Sequence, residues 1–251
     1  MFRGIYTAAG GMVSQQVSIN TASNNLANSE TTGYKKDIAV MSPFQQELIY
    51  HLDSSNPSGK SAIGTMPYGV EVTGAEIIYK QGNLQRTDRQ LDCAIDGDGF
   101  FVVQAPEGIR LTRNGSFKID DQNYLVTGQG YRVLGQDSFI ILNGSSDITI
   151  NEDGAVIQGG TEAGRLVLMD FEDRSAIQKE GDGLFSAPDD LDPILPQARI
   201  RQGYLEGANV DMAQEMSSLL VSFRAYEANS KVLQSFDQIM QLAVQNIGNL
   251  R

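Results

Sequence analysis

The chain has 251 residues, 31 acidic against 19 basic, a formal net charge of −12, one Cys, one His and no Trp. That charge opposes binding to DNA or RNA, whose phosphates are neutralised by Lys and Arg, and one Cys with one His falls short of the roughly four ligands of a zinc site. No run of about 18 apolar residues occurs, so membrane insertion is not expected, and Met1 to Gly11 lack the uninterrupted apolar core of a cleavable export signal.

The first expected element is a helix over residues 1–28. Phe2, Ile5, Ala9, Met12, Gln16, Ile19, Ser23 and Leu26 follow one another at alternating spacings of three and four, and Ile5, Met12, Ile19 and Leu26 fall one heptad apart. The intervening seam positions Ala9, Gln16 and Ser23 are small or polar, so this helix needs close partners. Residues 29–67 read as an extended arm or linker, because His51 to Ser61 is rich in Ser and punctuated by Pro57 and Gly59.

Residues 68–210 read as an all-β domain, a sandwich or irregular barrel. Short runs such as Phe100 to Val103, Ser116 to Ile119, Tyr124 to Thr127 and Arg165 to Phe171 alternate with the turn pairs Asn114-Gly115, Asn143-Gly144 and Asp153-Gly154. The last element is a helix within 211–251, capped by Asp211, with Gln214 and Glu215 in its first turn. Its seam is Met212, Met216, Leu219, Phe223, Tyr226, Ser230, Leu233, Asp237, Met240, Val244 and Ile247. At 1.5 Å per residue it would reach roughly 55 Å, too long for a compact core of this size. The fold class expected is mainly β with long terminal helices, 1–28 pairing with 211–251 as a coiled coil around the central β domain.

Charge divides the same way. Residues 1–45 carry +1 and residues 205–251 carry −2, which leaves −11 in the middle. No catalytic residue, cofactor or metal ligand is expected. Cys93 lies in an apolar strand pattern, His51 in the arm, and the pairs Asp120-Asp121 and Asp189-Asp190 in turn-like sequence. Asp96-Gly97-Asp98-Gly99 resembles the start of a calcium loop, but Phe100-Phe101-Val102-Val103 stands where further oxygen ligands belong, so it reads as a β-turn.

Ser23-Asn24-Asn25-Leu26-Ala27-Asn28-Ser29-Glu30-Thr31-Thr32-Gly33-Tyr34-Lys35 resembles the signature of the axial proteins of the bacterial flagellum, with Asn28 ending a helix and Gly33 supplying the next turn. The segments Ala94 to Phe101, Leu111 to Phe117, Leu125 to Tyr131, Gly203 to Val210 and Phe223 to Lys231 are similar, in order, to those of the flagellar basal-body rod family. The arm and the Phe223 to Lys231 helix favour the distal rod type over the proximal. Thr32, where many relatives have Pro, and Gly207-Ala208 are small departures.

The resemblance implies a structural subunit of the basal body in the cell envelope. It would be exported through the flagellar apparatus without a cleavable signal and would polymerise with itself and with other rod and hook subunits into a torque-transmitting helical tube. Surrounding ring proteins or peptidoglycan are further implied neighbours. Ile5, Met12, Ile19 and Leu26 would then face Leu219, Phe223, Tyr226, Leu233, Met240 and Val244 in its inner layer. The readings from other classes are a hook-type axial protein, a soluble ligand-binding β-domain with dimerising helices, and a wall-processing enzyme.

Overall fold

The computed structural model describes residues 2–52, 60–143, 147–188 and 190–248. They fall into two compact units, one drawn from residues 1–26, 37–76 and 211–251, the other from 27–36 and 77–210.

The first unit contains α1 (Phe2–Ala27), β1 (Asp37–Leu52), β2 (Lys60–Ile77) and α2 (Met212–Gly248). β1 pairs with β2 in a two-stranded ribbon. The stretch 29–67, expected as an extended arm or linker, thus contains strand sequence. Residues 29–36 belong with the second unit, and β-branched Ile38, Val40, Val70 and Val72 carry paired strands on either side. The Ser-rich signal that suggested a linker centres on residues 53–59, which lie outside the described residues, as does Asp189.

The second unit is built of short strands. In chain order they are β3 (Leu84–Arg86), β4 (Cys93–Asp96), β5 (Phe100–Ala105), β6 (Gly108–Thr112), β7 (Phe117–Ile119), β8 (Leu125–Thr127), β9 (Arg132–Val133) and β10 (Ile148–Ile150). Beyond them come β11 (Ala155–Gln158), β12 (Thr161–Arg165), β13 (Leu168–Phe171), β14 (Gln178–Lys179), β15 (Leu184–Ser186), β16 (Pro193–Ile194), β17 (Arg199–Gln202) and β18 (Tyr204–Glu206). The largest sheet runs β14-β15-β6-β5-β9-β8-β7, with β13 joined to β5 and β16. Separate small sheets are β10-β11-β12, β17-β4 and β18-β3.

β5 explains the uninterrupted run Phe100 to Val103. Phe101, Val103 and Ala105 enter one core with Phe117, Leu125, Ile140 and Leu142, while Phe100 and Val102 enter a second with Leu111, Phe171 and Phe185. A strand covered on both faces shows no polar alternation. Its aromatic rings pack edge to face, Phe101 on Phe117 at 5.1 Å and 80°. The Asp96 to Gly99 segment is the turn into β5, and its carboxylates meet guanidinium groups: Arg201 Nη2 lies 2.7 Å from Asp96 Oδ2, and Arg174 Nη1 is 3.2 Å from Asp98 Oδ1.

Candidate assembly site

Two separate groups of residues stand out, each within its own unit. The first is the helix pair. Asp211 Oδ1 accepts from the Ala213 and Gln214 amides at 3.0 and 3.2 Å and so caps α2, as its position in the sequence suggested. Along α1 a Cβ built on Gly4 would lie 2.6 Å from the Phe236 ring, and one on Gly11 would lie 2.9 Å from Asn229 Nδ2. At the far end, Asn25 Nδ2 donates to Glu215 Oε2 at 3.4 Å. Successive contacts step by whole heptads forward on α1 and back on α2. The helices are therefore antiparallel, and the glycines let them approach closely.

Of the seam residues read from sequence, Ile19 is buried and Ile5, Met12, Leu26, Leu219, Tyr226 and Leu233 are half-buried. Phe223, Met240 and Val244 are exposed, Val244 by 72%. The covered face of α2 runs through Glu215, Leu219, Ser222, Tyr226, Asn229, Leu233 and Phe236, rotated from the apolar seam. The rotation arises from α1, whose glycines, serines and Asn25 admit a ring, an amide and a carboxylate rather than more aliphatic groups.

Asn25 also orders the chain beyond α1. Its Oδ1 accepts from the Asp37 amide at 3.0 Å and its Nδ2 donates to the Asp37 carbonyl at 2.8 Å, so one side-chain amide holds both backbone groups at the start of β1. Asn24 and Ala27 are exposed and Asn28 half-buried.

The second group is the end of the Asn28 to Lys35 motif, which belongs to the β-rich unit. The Thr31 amide donates to the Asn28 carbonyl at 3.1 Å, and Gly33 then turns with φ 71°. The Gly33 amide donates to the Glu206 carbonyl at 2.7 Å, and a Cβ on Gly33 would sit 2.6 Å from the backbone of Arg113 and Asn114. The buried Tyr34 ring lies beneath Lys179 Nζ, 3.7 Å from its centroid.

Lys35 and Glu206 side chains are each only 1% exposed, with Nζ 2.7 Å from Oε1. Lys35 Nζ also donates to the Lys80 carbonyl at 3.0 Å, and the Gly82 amide donates to Glu206 Oε1 at 2.9 Å. Arg113 Nη1 stands 3.5 Å from Glu206 Oε2, while its Nη2 donates to the Gly97 carbonyl at 2.7 Å. Burial pushes the Lys35 ammonium below the ordinary lysine range against the pull of Glu206, and it lowers Arg113 in the same way. One carboxylate therefore serves two buried cations.

Sequence reading missed Gly4, Gly11, Arg113, Glu206 and Asn209 as site residues, and it quoted Lys35 only as the end of a motif. The signals were present in part, since Gly4 and Gly11 are a heptad apart and Glu206 lies inside the Gly203 to Val210 segment. Cys93 is fully buried on β4, and burial next to Asp92 pushes its thiol up to about 12, which leaves no thiolate for nucleophilic chemistry near neutrality. Among the described residues no group of three or more His, Cys, Asp or Glu could hold a metal ion, and no helix is long and apolar enough to cross a membrane.

Three family profiles match in order along the chain. "Flagella basal body rod protein" covers residues 5–35, "Flagellar hook protein FlgE/F/G D1 domain" covers 94–158 and "Flagellar basal body rod FlgEFG protein C-terminal" covers 201–246. The chain is similar to the flagellar basal-body rod protein FlgG of Buchnera aphidicola subsp. Schizaphis graminum, 36% identical over 261 residues that span 96% of this chain and 98% of the relative. It is similar also to that of Borreliella burgdorferi, 35% identical over 97% and 98% of the two chains. The chain belongs to the flagellar basal-body rod protein family. In this rod protein the first profile ends at Lys35, and the third includes Glu206, so the buried ion pair joins the two matched terminal segments.

Proposed function

We propose that this structural rod subunit, of the distal type, polymerises through its terminal helices into a helical tube that carries torque across the cell wall. α1 and α2 form the inner, coiled-coil layer of that tube. Neighbouring copies cover what each chain leaves exposed, and other rod and hook subunits continue the tube at its ends.

The observation that carries this reading is the apolar surface of α2. Leu220, Val221, Phe223, Ile239, Leu242 and Val244 are all exposed on one 37-residue helix. Burying each would contribute on the order of 1 kcal/mol, summed over every copy. Contacts of this kind between different surfaces, repeated without closing, build filaments. The opposed heptad steps of Gly4, Gly11 and Asn25 along α1 support coiled-coil pairing within each subunit. The −11 held between residues 46 and 204 would keep unassembled chains apart and suits an outer, solvent-facing layer. The mechanism needs neither cofactor nor catalytic group. Passage through the flagellar export apparatus, and rings or peptidoglycan around the finished shaft, complete the proposal.

Val244→Asp tests it, because that side chain is largely exposed in the single chain. The variant should fold and melt like the parent but fail to form tubes in electron micrographs at high concentration, and cells carrying it should not swim. Leu233→Asp, half-buried at the helix pair, should block assembly and also weaken the pairing. A discrete dimer at every concentration, with Val244→Asp fully motile, would replace this reading with a soluble β protein that has dimerising helices.

A further inference from the structure

The chain passes between its two units at three places, 36/37, 76/77 and 210/211, in addition to the step within α1. On the β-rich side these three crossings are drawn together by Lys35 and, distant from it in sequence, Glu206 and Asn209. Asn209 Oδ1 accepts from the Lys36 amide at 2.7 Å, and its Nδ2 donates to the carbonyls of Ile78 and Lys80 at 2.7 and 2.9 Å. The Ile78 amide donates to the Lys36 carbonyl at 2.9 Å. Lys35 Nζ reaches both the second crossing, at the Lys80 carbonyl, and the third, at Glu206. Glu206 closes the set by accepting from the Gly82 amide with its carboxylate and from the Gly33 amide with its backbone carbonyl.

We propose that Lys35, Glu206 and Asn209 form a clamp that holds all three crossings in one arrangement, so that force entering by the helices reaches the β-rich unit through fixed points rather than slack connections. The proposal rests on the rod reading above, since a clamp of this kind matters in a shaft under load.

Its construction separates it from ordinary packing. The two side chains of the ion pair are 1% exposed, and buried ion pairs in general add little stability over apolar pairs of the same volume. Burial disfavours the charge on Lys35, Glu206 opposes that shift, and the Lys80 carbonyl accepts a further hydrogen bond from Nζ. Asn209 spends both amide N–H donors and one acceptor position on backbone groups of the other two crossings. A sliding or alternative arrangement would strand a buried charge or several backbone groups at once. The clamp is thus selective for one geometry.

Hydrogen exchange on the full-length chain tests this amide by amide. Asn209→Ala keeps both charges and should speed exchange at Lys36 by at least about tenfold while leaving Gly82 within about twofold of the parent. Lys35→Met should speed exchange at Gly33, Lys36, Ile78 and Gly82 together by at least about tenfold, with the β5 and β6 amides unchanged. Unaltered exchange at the crossings in both variants would overturn the clamp. So would a uniform acceleration that includes β5 and β6, which would mark the cluster as general stabilisation. Should Lys35→Met fail to fold, Asn209→Ala decides the matter alone. Tube formation by the unaltered chain is scored separately, so loss of the exchange pattern would remove the clamp and leave the assembly reading standing.

Discussion

Gly33 shows how narrowly one residue is constrained. Its φ of 71° lies in the left-handed region, and the absent Cβ would collide with the Arg113 carbonyl carbon. Gly33→Ala combines backbone strain with that clash and should cost about 2 kcal/mol or more, read as a lowered denaturation midpoint of the β-rich unit. Cys93 gives a second prediction at this scale. The folded thiol keeps its proton up to about 12, whereas an ordinary thiol releases it near 9.0. The folded state therefore binds the proton more tightly, so this contribution to stability is whole below pH 9.0 and is lost as pH rises from there towards 12. In native protein at about pH 8 a thiol reagent should modify Cys93 roughly a hundredfold more slowly than in denatured protein; equal rates would contradict its burial.

At the scale of elements, the helix pair reports most clearly on what sequence patterns can and cannot give. Heptad spacing located both helices and the residue types at the start of α2 located the Asp211 cap, because periodicity and capping are local properties of the chain. It did not locate the closest contacts. An apolar stripe marks every surface a helix will bury, against its own chain or against a neighbouring copy, and α2 has more such surface than α1 covers. Glycine, which lowers the hydrophobic signal, marks the true line of approach. Gly11→Val should therefore destabilise the helix pair by about 1–3 kcal/mol, measured as lost helical circular dichroism on heating, although it makes the apolar stripe of α1 stronger. A stabilised variant would mean that α1 and α2 do not approach at Gly11.

Across the whole molecule, contacts between distant segments decide how the chain is divided. The sequence suggests a β-rich domain over 68–210, which holds Glu206 and Asn209, and an arm over 29–67. The structure adds the end of the Asn28 to Lys35 motif to the β-rich unit, tied to Glu206 by the buried ion pair. A fragment of residues 27–204 loses Glu206 and Asn209 and leaves the Lys35 ammonium buried without its carboxylate. It should melt roughly 10 °C below a fragment of 27–210, consistent with the cost of stranding a buried charge. Equal melting temperatures would show that the pair contributes nothing to that unit.

Sequence alone determined the helical ends, the β-rich middle, the placement of the acidity and the family, because periodicity, turn residues and motif order are written along the chain. Only tertiary structure decided that residues 37–52 and 60–77 pair as a ribbon, that α2 turns its covered face away from its most apolar seam, and that Lys35 meets Glu206. Those outcomes depend on which segments, 171 residues apart in the case of the ion pair, come to share a dry interior. Burial in a common interior then fixes which charges must meet and which glycines must be small.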